Sequence, residues 1–157
     1  VKYWELRNYV LHKIGLVSPD YLIAEAPWSP RPNRTAEAKP FNANTARLGY
    51  GLVAHIEELA EEFSIEYREY QSPEVAKFFT GRGRFPGDTP EEKSAAKKTA
   101  VRAACIARGW IVSNYNESDV LALMAYAEYQ LYPREALSRR MALKTPQGPL
   151  QSLLTTP

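Results

Sequence analysis

Two short runs with strand character bracket a helical stripe, and that order narrows the fold more than any other feature of the chain. Tyr21, Leu22, Ile23 and Ala24 form an apolar run that starts after Pro19-Asp20 and stops at Pro27, with the length and boundaries of a buried parallel strand, and Glu25 sits at its C-terminal end. Leu48, Leu52, Ile56, Leu59 and Phe63 then recur at helical spacing, and residues 65–70 alternate as a second strand. Strand, helix and strand in this order make a right-handed βαβ unit, so the sheet is expected to be parallel and the fold class α/β.

The flanking segments read as helices. Leu6, Val10, Ile14 and Val17 mark an amphipathic helix closed by Gly15 and Pro19. A short helix over 74–79 runs into Thr80-Gly81-Arg82-Gly83-Arg84, and the loop Pro86-Gly87-Asp88-Thr89-Pro90 precedes a long helix over 91–108 that Gly109 ends. Asn116 begins a last helix, with Leu121, Met124, Ala125 and Tyr129 expected to pack inward, and Pro133 stops it. The Pro-rich stretch 28–41 reads as an extended loop. These elements predict one domain over 1–132 and an arm or tail over 133–157.

The 157 residues, 45% of them hydrophobic, suffice for one compact core, and a single cysteine excludes a disulfide framework. Cys105, beside Ala103, Ala104 and Ile106, reads as a small core residue rather than a nucleophile, with His12 and His55 both far from it in sequence. The longest apolar run, 120–127, falls far short of the ~18 residues of a membrane span, and the first residues are too polar for a signal segment. An intracellular, cytoplasmic chain that needs no membrane is therefore expected. Its start at Val1, already helical by Trp4, points to a missing N-terminal segment.

Net charge is only +2, but it is unevenly placed. Residues 57–74 hold seven Glu against Arg68 alone, whereas 77–108 hold eight basic residues against three acids. Solvated helix faces of opposite sign would account for both runs.

Carboxylates supply the chemistry. An ionised acid closing a buried strand costs several kcal/mol unless paired or bound to a metal, and ligands of open α/β sheets sit at the carboxyl ends of strands, which singles out Glu25. Asn116 and Asp119, three apart, share a helix face and would suit a hard cation such as Mg²⁺. The same spacing fits a helix cap, with Asn116 as N-cap and an acid in the first turn.

In combination, Glu25 after its strand, Thr45-Ala46-Arg47-Leu48-Gly49-Tyr50-Gly51, Ser72-Pro73-Glu74-Val75-Ala76-Lys77 running into Thr80-Gly81-Arg82-Gly83, and Glu117-Ser118-Asp119-Val120-Leu121-Ala122 form an ordered set. The order resembles the phage-type branch of the RuvC family of Holliday-junction endonucleases, within the RNase H-like superfamily. The resemblance spans roughly residues 21–129. It implies an RNase H-like fold of parallel strands with flanking helices, whose N-terminal strands would precede Val1 together with the family's first metal-binding Asp. It also implies a homodimeric nuclease that cleaves branched DNA with two Mg²⁺ or Mn²⁺ ions held by carboxylates.

Mapped onto this chain, the resemblance makes Glu25 and Asp119 metal ligands. The family often has an acid where Asn116 stands, so either Glu117 substitutes as ligand or Asn116 coordinates through its carbonyl. Trp28 matches an aromatic position that stacks on bases, with a partly buried loop Trp as the alternative. Thr80, Gly81, Arg82 and Gly83 match a turn that approaches the DNA backbone, and Lys77, Arg84, Lys93, Lys97 and Lys98 would add a sequence-independent, salt-dependent attraction. A longer loop over 29–40 would bear on the branched substrate admitted. Other functions compatible with these residues are a non-catalytic DNA-binding module, a nuclease of the same superfamily acting on flaps, nicks or RNA–DNA hybrids, and a protein-interaction domain whose charge asymmetry joins identical subunits.

Overall fold

A computed structural model describes residues 2–27 and 43–134, and the chain forms two compact units, Val1–Arg84 and Phe85–Pro157. The fold is mixed α/β and mostly helical, with a small parallel sheet of two strands. Trp28, the loop over 29–40 and nearly all of the tail lie outside the described residues.

In the first unit α1 (Lys2–Val17), β1 (Tyr21–Glu25), α2 (Ala43–Glu62), β2 (Glu66–Tyr70) and α3 (Ser72–Thr80) follow one another. The two strands pair in parallel, from Tyr21 opposite Glu66 to Glu25 opposite Tyr70. The helix α2 packs on both strands and on α1, and it carries the centre of the core in Leu59 and Ala60. The strand β1 is less buried than its apolar run predicts. Only Ala24 is buried while Glu25 is exposed, because a sheet of two strands lacks the cover a wider one provides.

The helix ends have local causes. Gly15 stays inside α1, and the stop falls at Ser18, which turns left-handed (φ 43°) and donates its N–H to the Ile14 carbonyl before Pro19. Ser64 (φ 55°) closes α2 the same way, with Ile65 N–H reaching back to the Ala60 carbonyl. Since α2 ends at Glu62, Phe63 leaves the apolar stripe and is 45% exposed. Where α1 crosses α2, Tyr3 lies directly over Gly51, whose missing side chain makes room: a Cβ there would meet Tyr3 Oη at 2.5 Å. Arg7 of α1 adds ion pairs to Glu62 at 2.8 Å and Glu58 at 3.9 Å, so part of the acidic run joins helices.

The described residues of the second unit form α4 (Pro90–Ile106) and α5 (Tyr115–Leu131), packed on each other. Val101 and Cys105 of α4 and Ser118 and Ala122 of α5 are buried small side chains, which suits a close seam. Met124, expected inside, is 59% exposed, because the buried face of α5 runs through Ser118 and Ala122. Cys105 is fully buried, as its apolar neighbours predict, and its thiol donates to the Ser118 carbonyl at 3.8 Å. No described helix is long and apolar enough to cross a membrane.

The start of α4 is a capping box. Thr89 Oγ1 accepts from Glu92 N–H, while the Glu92 carboxylate accepts from the N–H groups of Asp88 and Thr89 at 2.7 and 3.1 Å. Gly87 permits it: with φ 134°, a Cβ at this position would stand 2.6 Å from Glu92 Cβ. Those backbone hydrogen bonds hold the Glu92 carboxyl below its ordinary value. A depressed folded-state pKa stabilises the fold fully above the unfolded value and loses that contribution as pH falls through the folded one. Glu92→Gln is therefore expected to lower the urea midpoint at neutral pH and to converge on wild type as the medium is acidified below about pH 4. Parallel curves across that range would exclude this role.

Candidate metal and nucleic-acid site

Glu25 lies at the carboxyl end of β1, where the ladder continues one step through Ala26 N–H to the Tyr70 carbonyl. It is exposed, so its charge needs no partner and the desolvation that singled it out in the sequence does not operate. Its position at the carboxyl end of a parallel pair remains.

The acidic segment of the second unit is organised differently from its sequence pattern. The N-cap of α5 is Asn114, not Asn116: Asn114 is extended (φ −146°, ψ 175°), whereas Asn116 is already inside the helix. Asn114 Oδ1 accepts from Glu117 N–H at 2.9 Å, and Asn114 Nδ2 donates to Glu117 Oε1 at 2.9 Å. Ser113 N–H donates to Glu117 Oε2 at 2.7 Å. Both carboxylate oxygens of Glu117 thus serve the cap, a use that competes with metal ligation. The spacing Asn114-x-x-Glu117 stood in the sequence beside the Asn116-x-x-Asp119 spacing, and only the backbone decides between them.

Asn116 is exposed and Asp119 half-buried. Asp119 stands near enough to Cys105 for its charge to act on the thiol, whose pKa is pushed up chiefly by burial, drawn back in part by Arg108, and raised least by Asp119. Asn116 and Asp119 in the second unit, and Glu25 in the first, each offer a hard oxygen donor of the kind Mg²⁺ takes. Among the described residues, however, no three His, Cys, Asp or Glu side chains gather into a group able to hold a metal ion, so the donors seen fall short of a set for two ions.

The Thr80-Gly81-Arg82-Gly83 turn is the C-terminal cap of α3. Gly81 is left-handed (φ 72°) and its N–H bonds to the Lys77 carbonyl, while Thr80 Oγ1 donates to the Ala76 carbonyl at 2.6 Å and accepts from Arg82 N–H at 3.2 Å. Two of the N–H groups expected to meet a phosphate are therefore spent on the turn. What the turn presents is cationic: Lys77, Arg82 and Arg84 are all exposed, and the Lys77 stem lies against Gly83. These cations also complement the negative end of the α3 dipole. In the second unit Lys93 is exposed and Lys97 and Lys98 are half-buried along α4.

Comparison of the chain with protein-family models, with curated proteins and with solved structures finds no match.

Proposed function

We propose that this chain belongs to a metal-dependent, structure-selective DNA endonuclease of RNase H-like fold that resolves four-way junctions as a homodimer. The observation that carries the proposal is the parallel β1–α2–β2 unit with Glu25 at the carboxyl end of its first strand, the place where open α/β sheets receive ligands. Glu25 in the first unit and Asp119 in the second are each proposed as a Mg²⁺ or Mn²⁺ ligand, with Asn116 of the second unit contributing its carbonyl oxygen. Bound divalent ions would supply Lewis acidity at the phosphoryl group and a water of lowered pKa. The chain's own part is to attract and position DNA through Lys77, Arg82 and Arg84 in one unit and Lys93, Lys97 and Lys98 in the other.

The commitment of Glu117 to the helix cap favours a second reading, a DNA-binding module without catalysis. A panel of end-labelled substrates separates the two: four-way junction, flap, nicked duplex, linear duplex and RNA–DNA hybrid, each with Mg²⁺ and with chelator. The nuclease proposal expects Mg²⁺-dependent paired incisions in the junction. Salt-sensitive binding without incision in any substrate would establish the second reading. Incision confined to flaps or hybrids would move the activity to another substrate of the superfamily.

A further inference from the structure

The corner between α4 and α5 carries a combination of side chains that its fold does not need. Gly109 turns left-handed (φ 77°), Trp110 N–H returns to the Cys105 carbonyl, and Val112 is buried as the anchor of the corner. Between them Ile111 is 96% exposed. A large aliphatic side chain held in water contributes nothing to this turn, and a polar residue would close it as well.

Four positions on, Tyr115 opens α5 and is 41% exposed. The Arg102 guanidinium stands over that ring, 5.8 Å from its centroid. Arg102 Nε is shut off from water and has no hydrogen-bond partner among the described residues, so the ring is the contact the structure gives this cation. The helix leading to the corner is basic, residues 93–108 holding Lys93, Lys97, Lys98, Arg102 and Arg108 and no acid, while Glu117, which serves the cap, and Asp119 follow Tyr115 on α5. An exposed aliphatic tip, a ring steadied on one side by a cation, and a basic helix leading to both match the chemistry of bases joined by phosphates.

We propose that the α4–α5 corner engages unpaired bases of branched DNA, Ile111 entering between bases at the branch point and Tyr115, steadied by Arg102, stacking on one of them. The inference rests on the DNA-binding reading and adds to it the element that distinguishes a branch from plain duplex. Backbone attraction by lysines is the same for both, whereas stacking and wedging act only where bases can leave the stack.

The test uses the full chain, a four-way junction carrying 2-aminopurine beside the branch, and a linear duplex of the same sequence. Wild type is expected to raise the 2-aminopurine emission of the junction on binding. Ile111→Ala and Tyr115→Ala are each expected to abolish most of that rise and to weaken junction binding about ten-fold while leaving duplex binding unchanged. Tyr115→Phe keeps the ring and is expected to behave as wild type. Junction affinity and emission unchanged in both alanine variants would overturn the inference and leave the DNA-binding reading standing. Equal losses on junction and duplex would also overturn it. Absence of salt-dependent DNA binding by wild type would overturn the DNA-binding reading itself.

Discussion

Asp119→Asn is expected to reduce Mg²⁺-dependent cleavage of a four-way junction to background while junction binding stays near that of wild type. The substitution is nearly isosteric and removes one negative charge, the property a hard divalent cation requires of its ligand. Helix α5 should be unaffected, because its cap is built from Asn114 and Glu117 and the buried seam from Ser118 and Ala122. Junction affinity, measured in chelator, separates the outcomes: retained affinity with lost cleavage places Asp119 in the chemistry. Retained cleavage removes it from the mechanism, leaving the corner at Ile111 and the cationic turn as DNA-binding features only. Loss of both, with an unchanged circular dichroism spectrum, makes Asp119 a binding residue.

The second large effect is one of stability. Leu59 is fully buried, on the helix that contacts α1, β1 and β2. Leu59→Ala removes the apolar volume at that junction, and deletions of this kind cost about 2–5 kcal/mol, the larger values where the surroundings cannot collapse. Collapse is hindered here, because Tyr3 over Gly51 and the Arg7–Glu62 ion pair fix the approach of α1 to α2. Urea denaturation should show a markedly lower midpoint. Hydrogen exchange should accelerate in β1 and β2, which as a pair of strands have little stability of their own. A loss under 1 kcal/mol would mean that the strands are held by something other than α2.

The elements were legible where periodicity and punctuation agree. The parallel pair followed from the order of 21–24, the α2 stripe and 65–70, and Gly109 turns left-handed just past α4, which stops at Ile106 rather than at 108. The misread positions share a cause, which is that burial depends on partners the sequence does not name. Ile23 and Glu25 carry the pattern of a covered strand, yet among the described residues β1 has a single neighbouring strand. Met124 fits the helical period but falls off the α4-facing side of α5, since a helix apolar around much of its circumference does not declare which face packs. Of the candidate site, the positions of Glu25 and Asp119 in their elements were readable, because strand ends and helix starts leave sequence marks. The cap use of Glu117 and the Arg102–Tyr115 pair were not, because both depend on backbone angles and on contacts across a seam.

The sealed thiol at the α4–α5 seam has a practical side. Cys105 is the chain's one cysteine, is fully buried, and is less acidic than a free thiol, so alkylating dyes and mild oxidants find no thiolate on the surface. A cysteine introduced at an exposed position of this chain would then be the sole site of conjugation, and these 157 residues need no prior editing before spin labels or fluorophores are attached.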